Sequence, residues 1–379
     1  MSTTKLSQSV ALKVWLRAGG RCEYRGCNEP LWQDILTLRQ MNRAYLAHII
    51  ADEPGGPRGD HILSPQLAND PSNIMLLCDT HHRLVDTVDV TGHPVVLLQE
   101  HKKEHEERIE LLTAIQPNMR THILLFGSRI GDRQGAVNYE QARLAVLPER
   151  YPADEKGIRL DLTDNEIDEK DPEFWEQTAK YIDRSLGRYL DGNRGPTGIP
   201  INHLSVFALA PIPALIYFGK RLGDIVSAEV YQRQRSTKDW RWRTLDDACF
   251  DYKIVYPPSP TAAASRVALN LSLSDTVHAA DIEAVLGQGI PTYTMTIAHP
   301  RRDFLRAKEQ LELFQNEWHT LLASIRATYG QRCDIHLFAA VPNSIAVEIG
   351  RSLLPKSDPY VVVYDYHREH GGFRHALIV

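Results

Sequence analysis

Apolar positions at helical spacing open the chain. In residues 7–18, Val10 and Val14 form one row and Leu12 and Leu16 another, with Ser7 or Ser9 placed to cap a helix and Gly19-Gly20 to stop it. The next clear signal is the continuous apolar run Ile74-Met75-Leu76-Leu77, which predicts a short buried strand, followed by a turn and a helix from about His81 to near Thr87. Residues 99–115 predict a long charged helix whose polar residues face solvent and whose histidines need no metal. Gln116-Pro117-Asn118 breaks that pattern and marks a domain boundary.

Beyond the break the texture changes to β/α. Residues 122–126 predict a buried strand that runs into the small, polar loop Gly127-Ser128-Arg129-Ile130-Gly131. Residues 174–190 predict an amphipathic helix and residues 191–198 a flexible connection. An internal repeat then appears: residues 207–222 align without gaps on residues 338–353, with Phe207 on Phe338, Pro211 on Pro342 and Gly219 on Gly350. Each copy predicts strand, Pro-containing turn and helix, then a further strand, at residues 225–231 and 360–366. The preceding strands, residues 123–128 and 267–272, match more loosely. Two Rossmann-like halves are expected, with the loops at Ser128, Pro211, Ser272/Ser274 and Asn343/Ser344 on one face, where open α/β sheets bind anions. Tyr217 and Glu348 are expected on helix surfaces, and Arg301-Arg302 is expected to open a helix.

Composition narrows the class. The 379 residues suit two or three domains, and 43% hydrophobic with 24% charged residues is that of a soluble globular protein. No 18-residue apolar run and no signal-peptide core are found, which predicts a cytoplasmic protein without a membrane partner. Five cysteines fit a reducing compartment, and Cys249 and Cys333 are expected to be unremarkable. The net charge of −5 does not advertise a nucleic-acid binder, although residues 1–43 carry seven Lys/Arg against three acids.

The candidate chemistry concentrates in the first third. Cys78-Asp79-Thr80-His81-His82 places a thiol and two imidazoles within five residues, and Cys22 and Cys27 supply a second short-spaced pair. Cys22, Cys27, Cys78 and His81 are therefore expected to form a Cys₃His structural zinc site, since closed zinc sites draw four S/N ligands from two such pairs.

Between the pairs lie Ala47-His48-Ile49-Ile50, Gly55-Gly56-Pro57-Arg58-Gly59 and Asn73. This order of elements over residues 10–100 resembles the HNH endonuclease module, a ββα-metal nuclease. The resemblance implies His48 as the general base, Asn73 as the residue that orients it, and His82 as a ligand of a catalytic cation, Mg²⁺ or another divalent ion. Phosphodiester hydrolysis needs a base of near-neutral pKa and a metal to offset phosphate charge. Where many such modules carry an acidic ligand before the base, this chain has Ala47. The second ligand is thus left open among Asn73, Asn69, Asp60 and His61.

The repeat, following such a module, resembles the SAVED domain, two fused CARF-like units found in effectors of CBASS anti-phage systems. The expected fold is α/β overall, with an HNH domain over residues 1–116 and a SAVED domain over 120–379, its halves about 120–260 and 261–379. The resemblance implies a cyclic di- or oligonucleotide messenger, a homo-oligomer that enlarges on activation, and cleavage of double-stranded DNA. Ser128, Arg129, Ser272, Ser274, Asn343 and Ser344 are the candidate messenger contacts. Trp240-Arg241-Trp242-Arg243 adds Trp240 and Trp242, whose rings could stack on bases beside guanidiniums. The rival reading is a non-catalytic, zinc-stabilised DNA-binding regulator with a nucleotide-sensing domain.

Overall fold

The computed structural model describes residues 5–130, 133–134, 137–162, 173–244, 250–258, 264–330, 333–354, 358–367 and 371–379. The chain divides into two compact units, Met1–Gln116 and Pro117–Val379. Among the described residues no helix is long and apolar enough to cross a membrane.

The first unit contains α1 (Gln8–Arg17), β1 (Ala44–His48), α2 (Leu63–Leu67), β2 (Ile74–Cys78), α3 (Asp79–Arg83) and α4 (Val95–Thr113). The Ser7 hydroxyl accepts from the Val10 N–H at 3.3 Å, and the chain leaves α1 through Gly19 and Gly20 at φ +60° and +66°. β1 and β2 pair antiparallel, with His48 opposite Ile74 and Ala44 opposite Cys78. β2 is buried along its whole length, which is why it reads as a continuous apolar run. Val14, Leu31, Ile49, Leu76, Val85 and Leu98 form the core around this hairpin. α3 is followed by one π-turn, Leu84–Val88. α4 begins four residues before the predicted start, because Pro94 supplies its entry. Its polar side is not wholly solvated: Lys102 is buried between Glu106 at 2.6 Å and Glu23 at 3.6 Å. His105, also buried, donates from Nε2 to the Ala18 carbonyl at 2.9 Å.

The second unit opens with β3 (Arg120–Ile130), β4 (Arg133–Gln134), α5 (Tyr139–Ala145), β5 (Tyr151–Pro152), β6 (Ile158–Leu162), α6 (Phe174–Leu190), β7 (His203–Leu209), α7 (Ile212–Leu222) and β8 (Ser227–Tyr231). It continues with β9 (Lys253–Val255), β10 (Arg266–Ser272), α8 (Ala279–Leu286), β11 (Thr292–Thr296), α9 (Lys308–Tyr329), β12 (Asp334–Ala340), α10 (Asn343–Arg351), β13 (Val361–His367) and β14 (Gly372–Ile378). The first sheet carries the parallel order β6-β3-β7-β8, and the second carries β11-β10-β12-β13 with antiparallel β9 and β14 at its edges. The shared order makes β3 the counterpart of β10, and β7 of β12.

The two halves meet through their repeated helices. Gly219 of α7 and Gly350 of α10 occupy the same place in the repeat, and each lies against the other helix's backbone. A Cβ on Gly219 would collide with the Val347 carbonyl, and a Cβ on Gly350 with the Ile216 carbonyl. Val347 and Ile216 each stand three residues before the opposing glycine, so the contact is reciprocal. Glycine is required at both positions by backbone approach, not by turn geometry.

Three expectations are corrected here. Residues 127–130 continue β3 as strand instead of forming a loop, because β6 pairs with them as far as Ser128 opposite Leu162. Arg301-Arg302 does not open a helix; α9 starts at Lys308. Glu348 is not on a helix surface: it is buried in α10, where Arg351 Nη1 donates to it at 2.7 Å. Tyr217, half-buried, donates its hydroxyl to Asp183 at 2.9 Å.

Candidate functional site

The first unit brings two groups of chemistry-bearing residues together on its hairpin. Cys22 precedes a turn whose Glu23 N–H donates to the Leu76 carbonyl, Cys78 ends β2, and His81 lies one turn into α3. The Sγ atoms of Cys22, Cys27 and Cys78 and the ligating nitrogen of His81 all lie within 4.8 Å of one another. His81 Nδ1 is 3.1 Å from Cys78 Sγ and 3.7 Å from Cys22 Sγ. Four donors around one tetrahedral zinc would stand about 3.5–3.8 Å apart, given ~2.3 Å Zn–S and ~2.0 Å Zn–N bonds, so the cluster fits that ion. Burial pushes the Cys22 and Cys78 thiols up and the His81 imidazole down. Without a cation these two thiols keep their protons, while the imidazole stays neutral and available as a ligand. The Tyr24 ring stacks on His81 with centroids 4.2 Å apart, and its hydroxyl is 3.0 Å from His93 Nε2, which fixes the imidazole plane.

At the opposite end of the hairpin from Cys78 sits His48, the last residue of β1, paired with Ile74 and 7% exposed. Its Nε2 is 2.9 Å from the Ala68 carbonyl, an acceptor only, which selects the tautomer of the neutral ring with the proton on Nε2 and the lone pair on Nδ1. Asn73 does not touch this ring. Its Oδ1 accepts from the Ile50 N–H and its Nδ2 donates to the Ile50 carbonyl, both at 2.9 Å, and to the Leu67 carbonyl at 3.3 Å. The group that holds the His48 ring is the Ala68 carbonyl, and Asn73 acts one step back by clamping the backbone at Ile50 and Leu67. This corrects the direct role expected of Asn73.

His82, the neighbour of His81 on α3, turns to the opposite side. Its ring stacks on Tyr45 of β1, centroids 4.5 Å apart and 10° between planes, and its Nε2 is 3.3 Å from Asp86 Oδ2. Asp86 also accepts from Arg58 Nη2 at 2.5 Å. The buried Arg58 donates from Nε to the Ile49 carbonyl and from Nη1 to the Val85 carbonyl, both at 2.7 Å. Burial alone would raise the Asp86 carboxyl, but bonds from His82 and Arg58 and their charges outweigh it and hold the group below the usual carboxylate range. Arg58, Asp86, Tyr45 and the Ala68 carbonyl were not singled out by residue type. The Gly-Gly-Pro-Arg segment carried the only sequence signal, and that for Arg58 alone.

In the second unit the candidate messenger residues lie at carboxyl ends of strands, but several are engaged. Ser128 is buried at the end of β3, and the Arg129 side chain lies outside the described residues. Ser272 Oγ donates to Asn270 at 2.7 Å and accepts from the Val277 N–H at 3.0 Å, building a turn. The Ser274 N–H donates to the Ala340 carbonyl at 2.7 Å and its side chain is half-buried. Asn343 Nδ2 donates to the Ala208 carbonyl at 3.2 Å. The Ser344 N–H and hydroxyl both donate to Gln232 Oε1, at 3.2 and 2.9 Å. Asn343 and Ser344 therefore tie the start of α10 to the strand ends of the first half, which sets the carboxyl ends of β7 and β8 beside those of the second half. Trp240 is fully buried against Phe207, with the Arg233 guanidinium 5.8 Å from its ring centre, and offers no free face for a base. Trp242 is half-buried near Tyr231. Cys249 lies outside the described residues, and Cys333 is buried in the core.

No curated protein matches the chain. Among solved structures, the Acinetobacter baumannii Cap4 SAVED/CARF-domain containing receptor with the cyclic trinucleotide 2'3'3'-cAAA is 14% identical at TM-score 0.43, covering 79% of this chain and 60% of that one. The same receptor without that ligand in its description gives 13% identity at TM-score 0.42, over 82% of this chain and 62% of that one. The Moraxella osloensis Cap4 receptor gives 11% and 0.38, over 75% and 57%. The chain thus spans about 60% of the length of these receptors. The family model described as SMODS-associated and fused to various effectors sensor domain matches residues 183–379, from the middle of α6 to the last residue given. That match takes in more than half of the chain, and the chain therefore belongs to the SAVED family.

Proposed function

We propose that this chain is a cyclic-nucleotide-activated, metal-dependent endonuclease that cuts double-stranded DNA in anti-phage defence. The second unit acts as the sensor and the first, HNH-like unit as the effector. The observation that carries the reading is the state of His48: Nε2–H is committed to the Ala68 carbonyl, and the lone pair of Nδ1 is free to take a proton from water. The same carbonyl then stabilises the imidazolium that forms. A divalent cation held at His82 would offset charge on the scissile phosphate and the leaving oxygen. Cys22, Cys27, Cys78 and His81 would hold a structural zinc that keeps the hairpin and α3 in place.

A regulator that binds DNA through a zinc-stabilised fold has one observation in its favour: Ala47, buried before His48, offers no metal ligand. It gives no reason for His48 to stand on a strand end that Arg58 ties to the Asp86–His82 pair, beyond the four residues that would hold zinc. His48→Ala separates the two readings. The nuclease should keep DNA binding in a gel-shift assay and lose plasmid cleavage, whereas a regulator should show no cleavage with or without His48.

A further inference from the structure

Ala47 leaves the catalytic cation short of a protein ligand, and the candidates named from sequence are spent elsewhere. Asn73 is clamped on backbone through both amide atoms, Asn69 Oδ1 takes the Ser7 N–H, and Asp60 is exposed, its Oδ1 taking the N–H groups of Ile62 and Leu63, with no described contact to His82. His61 is exposed. We infer that Asp86 is the second protein ligand, sharing the cation with His82. The inference rests on the nuclease reading and deepens it.

Three features carry it. His82 Nε2 and Asp86 Oδ2 are 3.3 Å apart, and two donors bound at right angles to one cation at about 2.1 Å stand about 3.0 Å apart, so one ion fits between them with little movement. The carboxylate is also divided: Oδ1 is taken by Arg58 and Oδ2 faces His82. Arg58 is itself locked on the Ile49 and Val85 carbonyls and lies 3.4 Å from the His48 carbonyl, so it ties this carboxylate to the strand that carries the base. Finally, Asp86 sits in the π-turn that continues α3, an irregularity often found where a helix supplies a functional group, and Tyr45 holds the His82 ring from the far side. An acid expected from the strand is supplied instead from the helix.

The test uses the zinc-loaded chain without DNA and reads Mn²⁺ binding by electron paramagnetic resonance. Asp86→Asn keeps an acceptor for Arg58 and should weaken Mn²⁺ binding about tenfold or more, as His82→Ala should. Loss of an outer partner alone also costs about 10- to 100-fold, so affinity does not decide between ligand and orienting group. Asp86→Cys does: a direct ligand should make the site prefer Cd²⁺ and add a thiolate-to-cadmium absorption beyond the one that the Cys22, Cys27 and Cys78 thiolates give in the unmodified chain titrated with Cd²⁺ in the same way. Zinc content and melting temperature check that each variant is folded. If His82→Ala loses Mn²⁺ while Asp86→Asn binds it unchanged, or Asp86→Cys folds and gains no cadmium band, Asp86 is not a ligand and the nuclease reading stands without it. If the unmodified chain binds no Mn²⁺ beyond its zinc site, both fall.

Discussion

At the scale of single residues, the proposed chemistry depends on where protons sit. His48 donates from Nε2 to a backbone carbonyl, which in the proposed nuclease leaves Nδ1 for water. Replacing it with alanine should lower the cleavage rate by about 10²- to 10⁴-fold, the usual worth of a general base, with zinc content and melting unchanged. A second histidine gives a pH signature. His203 begins β7 with its Nδ1 2.8 Å from the Thr121 hydroxyl, and burial pushes its pKa down to about 4. The unfolded chain takes up the proton near pH ~6.5 and the folded one does not. Stability from this group is therefore full above about pH 6.5 and falls as the pH drops toward about 4, by on the order of 3 kcal/mol at most. His203→Gln should flatten the fall in melting temperature of the second unit over that interval, and an unchanged slope would contradict the assignment.

At the scale of elements, the crossing of α7 and α10 decides how the halves are held. A methyl at Gly350 must displace the Ile216 carbonyl, and backbone cannot yield as a flexible side chain would. Gly350→Ala should cost about 1–3 kcal/mol in denaturant unfolding of the second unit. Gly219→Ala should cost a similar amount, and the double variant less than the sum, because both widen one crossing. Gly192→Ala, with nothing within 4 Å of the new methyl, should stay within about 0.5 kcal/mol. The repeat that places these glycines was legible, since eight-residue spacing from Pro211 to Gly219 recurs from Pro342 to Gly350. What the glycines touch was not, because close backbone approach leaves no mark beyond the residue itself. The same limit explains the other departures. Trp240-Arg241-Trp242-Arg243 alternates like a surface strand, yet Trp240 is drawn into the core by Phe207 and Tyr231 in the neighbouring strands. The Ala68 carbonyl could not be found from sequence because any residue supplies one. Arg58 and Asp86, 28 positions apart, meet only once the hairpin folds. Short-range density was the readable signal, as Cys78, His81 and His82 show.

At the scale of the whole molecule, two units of different chemistry make separable predictions. Stripping zinc with a strong chelator, or replacing Cys22 with serine, should unfold the first unit, whose core packs directly on Cys22 and Cys78. The second unit, built on its own sheets, should keep its melting transition; loss of both together would contradict the division. The central claim is that the sensor governs the nuclease, and gating by a messenger requires that it bind the active state more tightly than the resting one. The most direct measurement is a time course of supercoiled plasmid cleavage by the unmodified chain in Mg²⁺ or Mn²⁺, with and without each member of a panel of cyclic di- and trinucleotides. Cutting that starts only with a particular cyclic nucleotide is the predicted result. Cutting at the same rate without any of them, or no cutting when one is bound, would contradict it.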